Sequence, residues 1–289
     1  MRIALATCRE VPGLLDDEGR LLEDRLRARG VEAEPAVWDD ADVAWSAFDL
    51  VLVRSTWDYP TRHREFLAWA DAVERVSALH NPASVLAWTT DKHYLLELAG
   101  TGLPVVPSAV LEPGSDDTDP AAHPYVGVEH VVKPCVSAGS KDTLRCGPGE
   151  SGRSAAHVRA LLDAGRPVLV QPYLAAVDEV GETAVVAIDG APSHAVRKGA
   201  LLASGGGLVE GLFAPEDISA REPSPAETAV AAHVLEHLAT PMLYARIDLL
   251  PGPEGPQVLE VELAEPSLFL EHAPGAADRL ADAVVRRLR

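Results

Sequence analysis

Leu243-Tyr-Ala-Arg-Ile-Asp-Leu-Leu250 and Gln257-Val-Leu-Glu-Val-Glu-Leu263, on either side of a Pro/Gly-rich turn, decide how this chain is read. Both alternate in the period of a strand. A hairpin centred on Glu254 sets Asp248 opposite Glu260 and Arg246 opposite Glu262, with all four side chains on one sheet face. Three carboxylates so close repel one another unless a cation sits among them. An all-oxygen donor set favours Mg²⁺. The plain alternative is a hydrated surface hairpin. Tyr244, Ile247, Leu249, Val258, Leu259 and Val261 are apolar, which suits a buried sheet better.

Moving toward the N-terminus, short strands are expected at Val131–Lys133, Leu144–Arg145, Val168–Val170, Thr183–Ile188 and His194–Lys198. Asp189-Gly190 is a hairpin turn signal. A helix is expected over Pro225–Leu238 and another over Ala276–Leu288. Lys133 ends a strand and precedes the small-residue run Ser137-Ala-Gly-Ser140, a pattern able to hold phosphate through one cation and backbone N–H groups. An edge-strand lysine before an ordinary turn explains it equally well. Gln171-Pro-Tyr-Leu174 leaves a strand in extended form, and Gly181-Glu182 and Arg197-Lys198 put charges at strand ends. Taken singly, these are ordinary surface features.

The first 80 or so residues read differently. Strands at Arg2–Ala6, Val31–Trp38 and Phe48–Val53 alternate with helices at Asp17–Arg29 and Arg62–Val76, which predicts a small α/β layer with parallel pairing. Asn81-Pro82 breaks the chain, Asp91–Ala99 is helical, and Leu111–Pro124 is a loop rich in Pro, Gly and Asp.

Composition excludes several classes of function. The net charge of −19 opposes nucleic-acid binding, which needs clustered Lys and Arg. No apolar run approaches the about 18 residues of a membrane span, so no membrane partner is expected. Met1–Glu10 lacks a secretory signal pattern, so a cytoplasmic location is expected. Cys8, Cys135 and Cys146 are too far apart for a disulfide scaffold or a structural zinc site. His233-Val-Leu-Glu-His237 matches a zinc-peptidase spacing, but little chain remains downstream for a third ligand. A homo-oligomer remains compatible with all of this.

In their order and spacing, Lys92, Val-Val-Lys133-Pro and its loop, Gln171-Pro-Tyr-Leu174, Gly181-Glu182, Arg197-Lys198, Asp248, Glu260-Val-Glu262 and Pro266 resemble the ATP-grasp superfamily over residues 81–289. The first domain looks like the Rossmann-like domain that precedes the grasp. Val53-Arg-Ser-Thr-Trp-Asp-Tyr59 and Glu262-Leu-Ala-Glu-Pro-Ser-Leu-Phe269 resemble a subgroup holding glutathione-synthetase-like enzymes and the cyclo-ligase that makes cycloserine from O-ureidoserine.

The resemblance implies an α/β ATP-grasp fold in three parts, 1–85, 86–170 and 171–289. It implies an ATP- and Mg²⁺-dependent ligase joining a small carboxylate to an amine through an acyl phosphate. A nucleotide-binding protein without ligase chemistry is the alternative. Lys92 and Lys133 would hold phosphates, with Ser137, Ala138, Gly139 and Ser140 closing over them. Gln171, Tyr173 and Leu174 would line the adenine slot, and Asp178 or Glu182 would hold the ribose. Asp248, Glu260 and Glu262 would bind Mg²⁺, although many relatives carry Asn where this chain has Glu262. Arg246, Arg197 and Lys198 are the candidate catalytic cations. Arg54, Ser55, Thr56 and Asp58, at the end of the third strand, are the candidate substrate contacts, because ligands gather at carboxyl strand ends in α/β sheets.

Overall fold

A computed structural model describes residues 1–13, 17–114, 119–202, 208, 217–238 and 240–288. Its strands are β1 (Arg2–Thr7), β2 (Glu32–Val37), β3 (Leu50–Ser55), β4 (Ala78–His80), β5 (Ala109–Leu111), β6 (His130–Pro134), β7 (Leu144–Cys146), β8 (Val168–Pro172), β9 (Glu182–Ile188), β10 (Ala191–Lys198), β11 (Ile218–Arg221), β12 (Tyr244–Gly252) and β13 (Gly255–Glu262). Its helices are α1 (Asp17–Arg27), α2 (His63–Glu74), α3 (Ala83–Thr89), α4 (Tyr94–Gly100), α5 (Ser151–Asp163), α6 (Val177–Val180), α7 (Pro225–His237) and α8 (Ala276–Arg287). No helix among the described residues is long and apolar enough to cross a membrane.

The first sheet is parallel, in the order β2-β1-β3-β4. Its central strands are almost wholly apolar because both faces are covered. Ile3, Leu5, Leu50 and Leu52 pack on Leu22 and Leu26 of α1 and on Leu280 and Val284 of α8. Val51 and Val53 face Phe66 and Val73 of α2. The last helix therefore returns to the first sheet, where Arg29 pairs with Asp278 and Asp282 at 3.0 and 2.6 Å.

Two antiparallel sheets follow, ordered β5-β8-β6-β7 and β11-β10-β9-β12-β13. The β9–β10 hairpin turns on Asp189 and Gly190, both at positive φ, 53° and 78°. Helix α7 starts with a capping box, Ser224 accepting from the Glu227 amide while Glu227 accepts from the Ser224 amide.

Several elements differ from the sequence reading. Helices α3, α5 and α6 and strands β4, β5 and β11 were not expected. The buried face of α5 is only Ser154, Ala155, Val158 and Leu161, too weak an apolar stripe to stand out in a Ser/Arg/Ala-rich stretch. Leu111, placed in a loop, pairs with Val168 at the edge of the second sheet, and residues 115–118 of that loop lie outside the described residues. The boundary at 170 cuts through β8, so the second sheet ends at Pro172. The last hairpin is not centred on Glu254: Gly252 pairs with Gly255, and a bulge at Leu259 restores the register so that Asp248 faces Glu260.

The break at Asn81 is a joint. Its buried amide donates to the carbonyls of Tyr244 (3.0 Å) and Leu263 (2.7 Å) and accepts from the Leu243 amide (3.0 Å). The Tyr244 hydroxyl lies 2.7 Å from the Val53 carbonyl and 2.8 Å from that of Ala264. These bonds tie the metal-type hairpin to the parallel sheet.

Candidate active site

A cavity of 480 Å³ lies between the two antiparallel sheets and reaches the first sheet through Glu18, Trp57 and Tyr59. At one end Val106, Val177 and Leu250 form an apolar cluster, with Tyr173, Leu174 and Leu259 packed on it. Leu259 reaches this slot because of the bulge: Val258 and Val261 are buried in the core, while Leu259 and its neighbour Glu260 both line the cavity. The Gln171 amide, 2% exposed, donates to Ser108 Oγ at 2.9 Å. An apolar cleft with a buried polar side chain beside it suits a nucleobase.

The middle of the cavity is ionic. Lys133 Nζ, from the end of β6, sits 2.5 Å from Glu260 Oε1. Lys92 Nζ bonds the Ser137 carbonyl and hydroxyl, both at 3.1 Å, and lies 3.9 Å from Glu260. Lys198 Nζ is 2.7 Å from Glu182 and 3.3 Å from Asp248. Arg246 grips Asp248 with two bonds of 2.8 Å and also donates to Glu262. The loop after Lys133 holds Gly139 and Ser140 at positive φ, 60° and 59°. Among the described residues the amides of residues 137–140 have no partner. Free amides beside two lysines form an anion-type cradle.

Charges in this cluster shift each other's protonation. Burial alone would raise Asp248, but Arg246 and Lys198 more than reverse it and hold it low. Burial likewise opposes Glu260, and Lys133 and Lys92 pull it down to about 2. Glu262 goes the other way, up to about 7, through burial and the charges of Asp248 and Glu260, with Arg246 offsetting part. Glu182 rises to about 7 through burial and Asp248, against the pull of Lys198. Glu265 rises to about 8 through burial and Glu262. A strained set of carboxyls with oxygen donors only is what a hard divalent cation neutralises, so Asp248, Glu260 and Glu262 fit Mg²⁺.

That fit has a sign in pH. A carboxyl raised above its ordinary value favours the fold while protonated, and this contribution is lost as pH rises from about 5 toward 8. Magnesium binds the deprotonated forms. Mg²⁺ should therefore raise Tm more at pH 8 than at pH 6, read by thermal unfolding with and without chelator. Equal shifts at both pH values would remove the metal from this cluster.

The cavity gathers Lys92, Lys133, Ser137–Ser140, Gln171, Tyr173, Leu174, Glu182, Lys198, Arg246, Asp248, Glu260 and Glu262. Other candidates lie outside its lining. Arg197 points away from it and donates to the Val180 carbonyl at 2.8 Å, since its strand neighbour Lys198 occupies the inner face. Asp178 is bound to Arg145 at 3.0 Å and to the Tyr173 hydroxyl outside the lining, whereas Glu182, the other ribose candidate, is in it. Arg54, 2% exposed, lies outside the lining and bonds Glu18 and the Pro266 carbonyl through Nη2. Ser55 and Thr56 are buried beside it, and Asp58 accepts from the Trp38 indole at 2.8 Å. The neighbours Trp57 and Tyr59 reach the cavity instead. Glu18 and Glu265 also line it and were not singled out; Glu265 lies within the quoted run Glu262–Phe269, which was its one signal. His233 and His237 are exposed on α7, away from the cavity.

Two antiparallel sheets closing on an ionic cleft, preceded by a parallel α/β layer, define an ATP-grasp ligase, and this chain is an enzyme of that class. The cycloserine biosynthesis protein DcsG of Streptomyces lavendulae is 39% identical over 280 residues, covering 93% of each chain. The chain belongs to the family of that protein. Residues 3–81 match the model of the N-terminal domain of D-cycloserine synthetase DcsG. The crystal structure of D-cycloserine synthetase DcsG superposes with a TM-score of 0.90 at 36% identity, over 100% of both chains. The ATP-grasp RimK domain protein of Sphaerobacter thermophilus (TM-score 0.71, 20% identity, 98% and 99% covered) shares the fold. So does D-alanine–D-alanine ligase of Bacillus anthracis complexed with ATP (0.68, 15%, 100% and 97%).

Proposed function

We propose that this enzyme is an ATP- and Mg²⁺-dependent carboxylate–amine ligase that works through an acyl phosphate and releases ADP and phosphate. By kinship it is an intramolecular cyclo-ligase that forms cycloserine from O-ureidoserine: the ureido nitrogen bonded to oxygen closes the ring, and water removes the carbamoyl group as carbamate, which breaks down to ammonia and carbon dioxide. One observation carries the reading: an apolar slot and a cluster of cations and carboxylates adjoin in one cavity. A nucleotide with its base in the slot would run its triphosphate into the cluster, and the reading takes the γ-phosphate as the one that meets the cations.

A carboxylate is a poor electrophile, and an amine does not displace oxide from it. Moving the γ-phosphoryl group onto the carboxylate creates an acyl phosphate, whose phosphate leaves when nitrogen attacks. The barrier lies in bringing two anions together, so fixed cations lower it. Lys92, Lys133 and the amides of residues 137–140 hold the phosphates. Arg246 and Lys198 offset charge where the phosphoryl group passes. Asp248, Glu260 and Glu262 would hold Mg²⁺, which when bound neutralises phosphate charge. Glu182 lines the cavity and would hold the ribose.

The test supplies γ-labelled ATP with O-ureidoserine. Label should appear in orthophosphate, and hydroxylamine should trap the acyl phosphate as a hydroxamate. Label in pyrophosphate would mean adenylation and withdraw the roles given to Arg246 and the hairpin. Nucleotide binding without phosphate release would leave only a nucleotide-binding protein.

A further inference from the structure

The phosphate and metal chemistry leaves Glu265 unused. It follows β13 where the chain passes under the parallel sheet, is 8% exposed, and lines the cavity. Its position is set from the first domain. The Trp57 indole donates to its carbonyl at 3.1 Å, Arg54 donates to the next carbonyl at 3.2 Å, and buried Tyr59 lines the cavity with its hydroxyl near the Glu265 carboxyl. The cavity's other acids within reach are matched: Glu18 with Arg54, Glu182 with Lys198, Asp248 and Glu262 with Arg246, Glu260 with Lys133. Among the described residues Glu265 has no ion pair. Lys92, whose charge reaches it, is bonded to Ser137 and faces Glu260.

Buried with no cation paired to it, the Glu265 carboxyl is held toward its protonated form, and a cationic ligand would supply the partner that lets it ionise. Phosphate and substrate carboxylate cannot play that part, since an anion beside Glu265 opposes its ionisation. An ammonium is attracted, and it brings N–H donors that match the carboxylate. We propose that Glu265, positioned by Tyr59, receives the protonated amino group of an amino-acid substrate. The enzyme then selects amino acids over simple carboxylic acids. The choice of turnover assay rests on the ligase reading above.

The experiment compares O-ureidoserine with its desamino analogue, 3-(ureidooxy)propanoate. The wild type should prefer the amino acid in kcat/KM by on the order of 100-fold, as for a buried charge pair. Glu265→Gln should reduce the preference to about fivefold or less, with KM for ATP within about twofold. Tyr59→Phe should reduce it part of the way and serves if the first variant misfolds. A purely structural role would lower activity on both acids equally, and that result, or an unchanged preference, overturns the proposal. Calorimetry with a non-hydrolysable ATP analogue reads the same preference without turnover. Preferential binding lost in Glu265→Gln, with no product from wild type, keeps the subsite and removes the ligase reading. No preference in wild-type binding overturns the subsite.

Discussion

Glu260→Gln should lower ATP-dependent turnover by roughly 10²–10³-fold at saturating ATP, the scale of removing one group aimed at developing charge. Glu260 is the point where three functions meet. Lys133 touches it at 2.5 Å and Lys92 lies at 3.9 Å, and it shares the hairpin face with Asp248. Its glutamine analogue keeps the shape and one oxygen but loses the charge that balances both lysines. The Mg²⁺ requirement should move upward at the same time, because a neutral amide oxygen is the weaker ligand. Tm measured in parallel separates this from unfolding. A Glu260→Gln enzyme with wild-type turnover and an unchanged Mg²⁺ titration would place the metal elsewhere.

Arg54→Ala should cost stability rather than substrate affinity. The guanidinium and Glu18 are a buried ion pair, at 2% and 6% side-chain exposure. Glu18 also accepts the Leu268 amide at 2.7 Å, and Arg54 lies over the Tyr244 ring, 5.4 Å from its centroid. The pair thus joins α1, β3 and the segment after β13. Removing one partner leaves the other charged and enclosed, a loss of about 3–5 kcal/mol. Urea unfolding reads it as a lower midpoint at constant slope. Stability within about 0.5 kcal/mol of wild type, the range of an ordinary surface change, would return Arg54 to the list of substrate contacts.

Much of the architecture was legible because it is local. Apolar runs of four or more residues between turn signals mark β1, β3 and β9, and the period of two placed Asp248, Glu260 and Glu262 on one face. Lys133 before its small-residue loop was readable for the same reason. Helix α5 was not, because its buried face is small side chains that only the second sheet makes into a core.

Sequence by itself singled out the residues whose charge and oxygen donors suit phosphate, metal and base, since charge, donors and strand period travel with the chain. Tertiary structure decided which of them meet. Neighbours on a strand face opposite ways, so of Arg197 and Lys198 only one can enter the cavity, and the sheet packing chose Lys198. The turn at Pro253-Glu254 alone would set Asp248 opposite Leu259, and the bulge there moves Glu260 into place while turning Leu259 into the slot. Arg54 became a strut because β3 ends against α1 and the chain leaving β13, more than 200 residues away in sequence, with |i−j| of 212 to Pro266. No local pattern records such a distance; it exists only once the two ends of the chain have packed together.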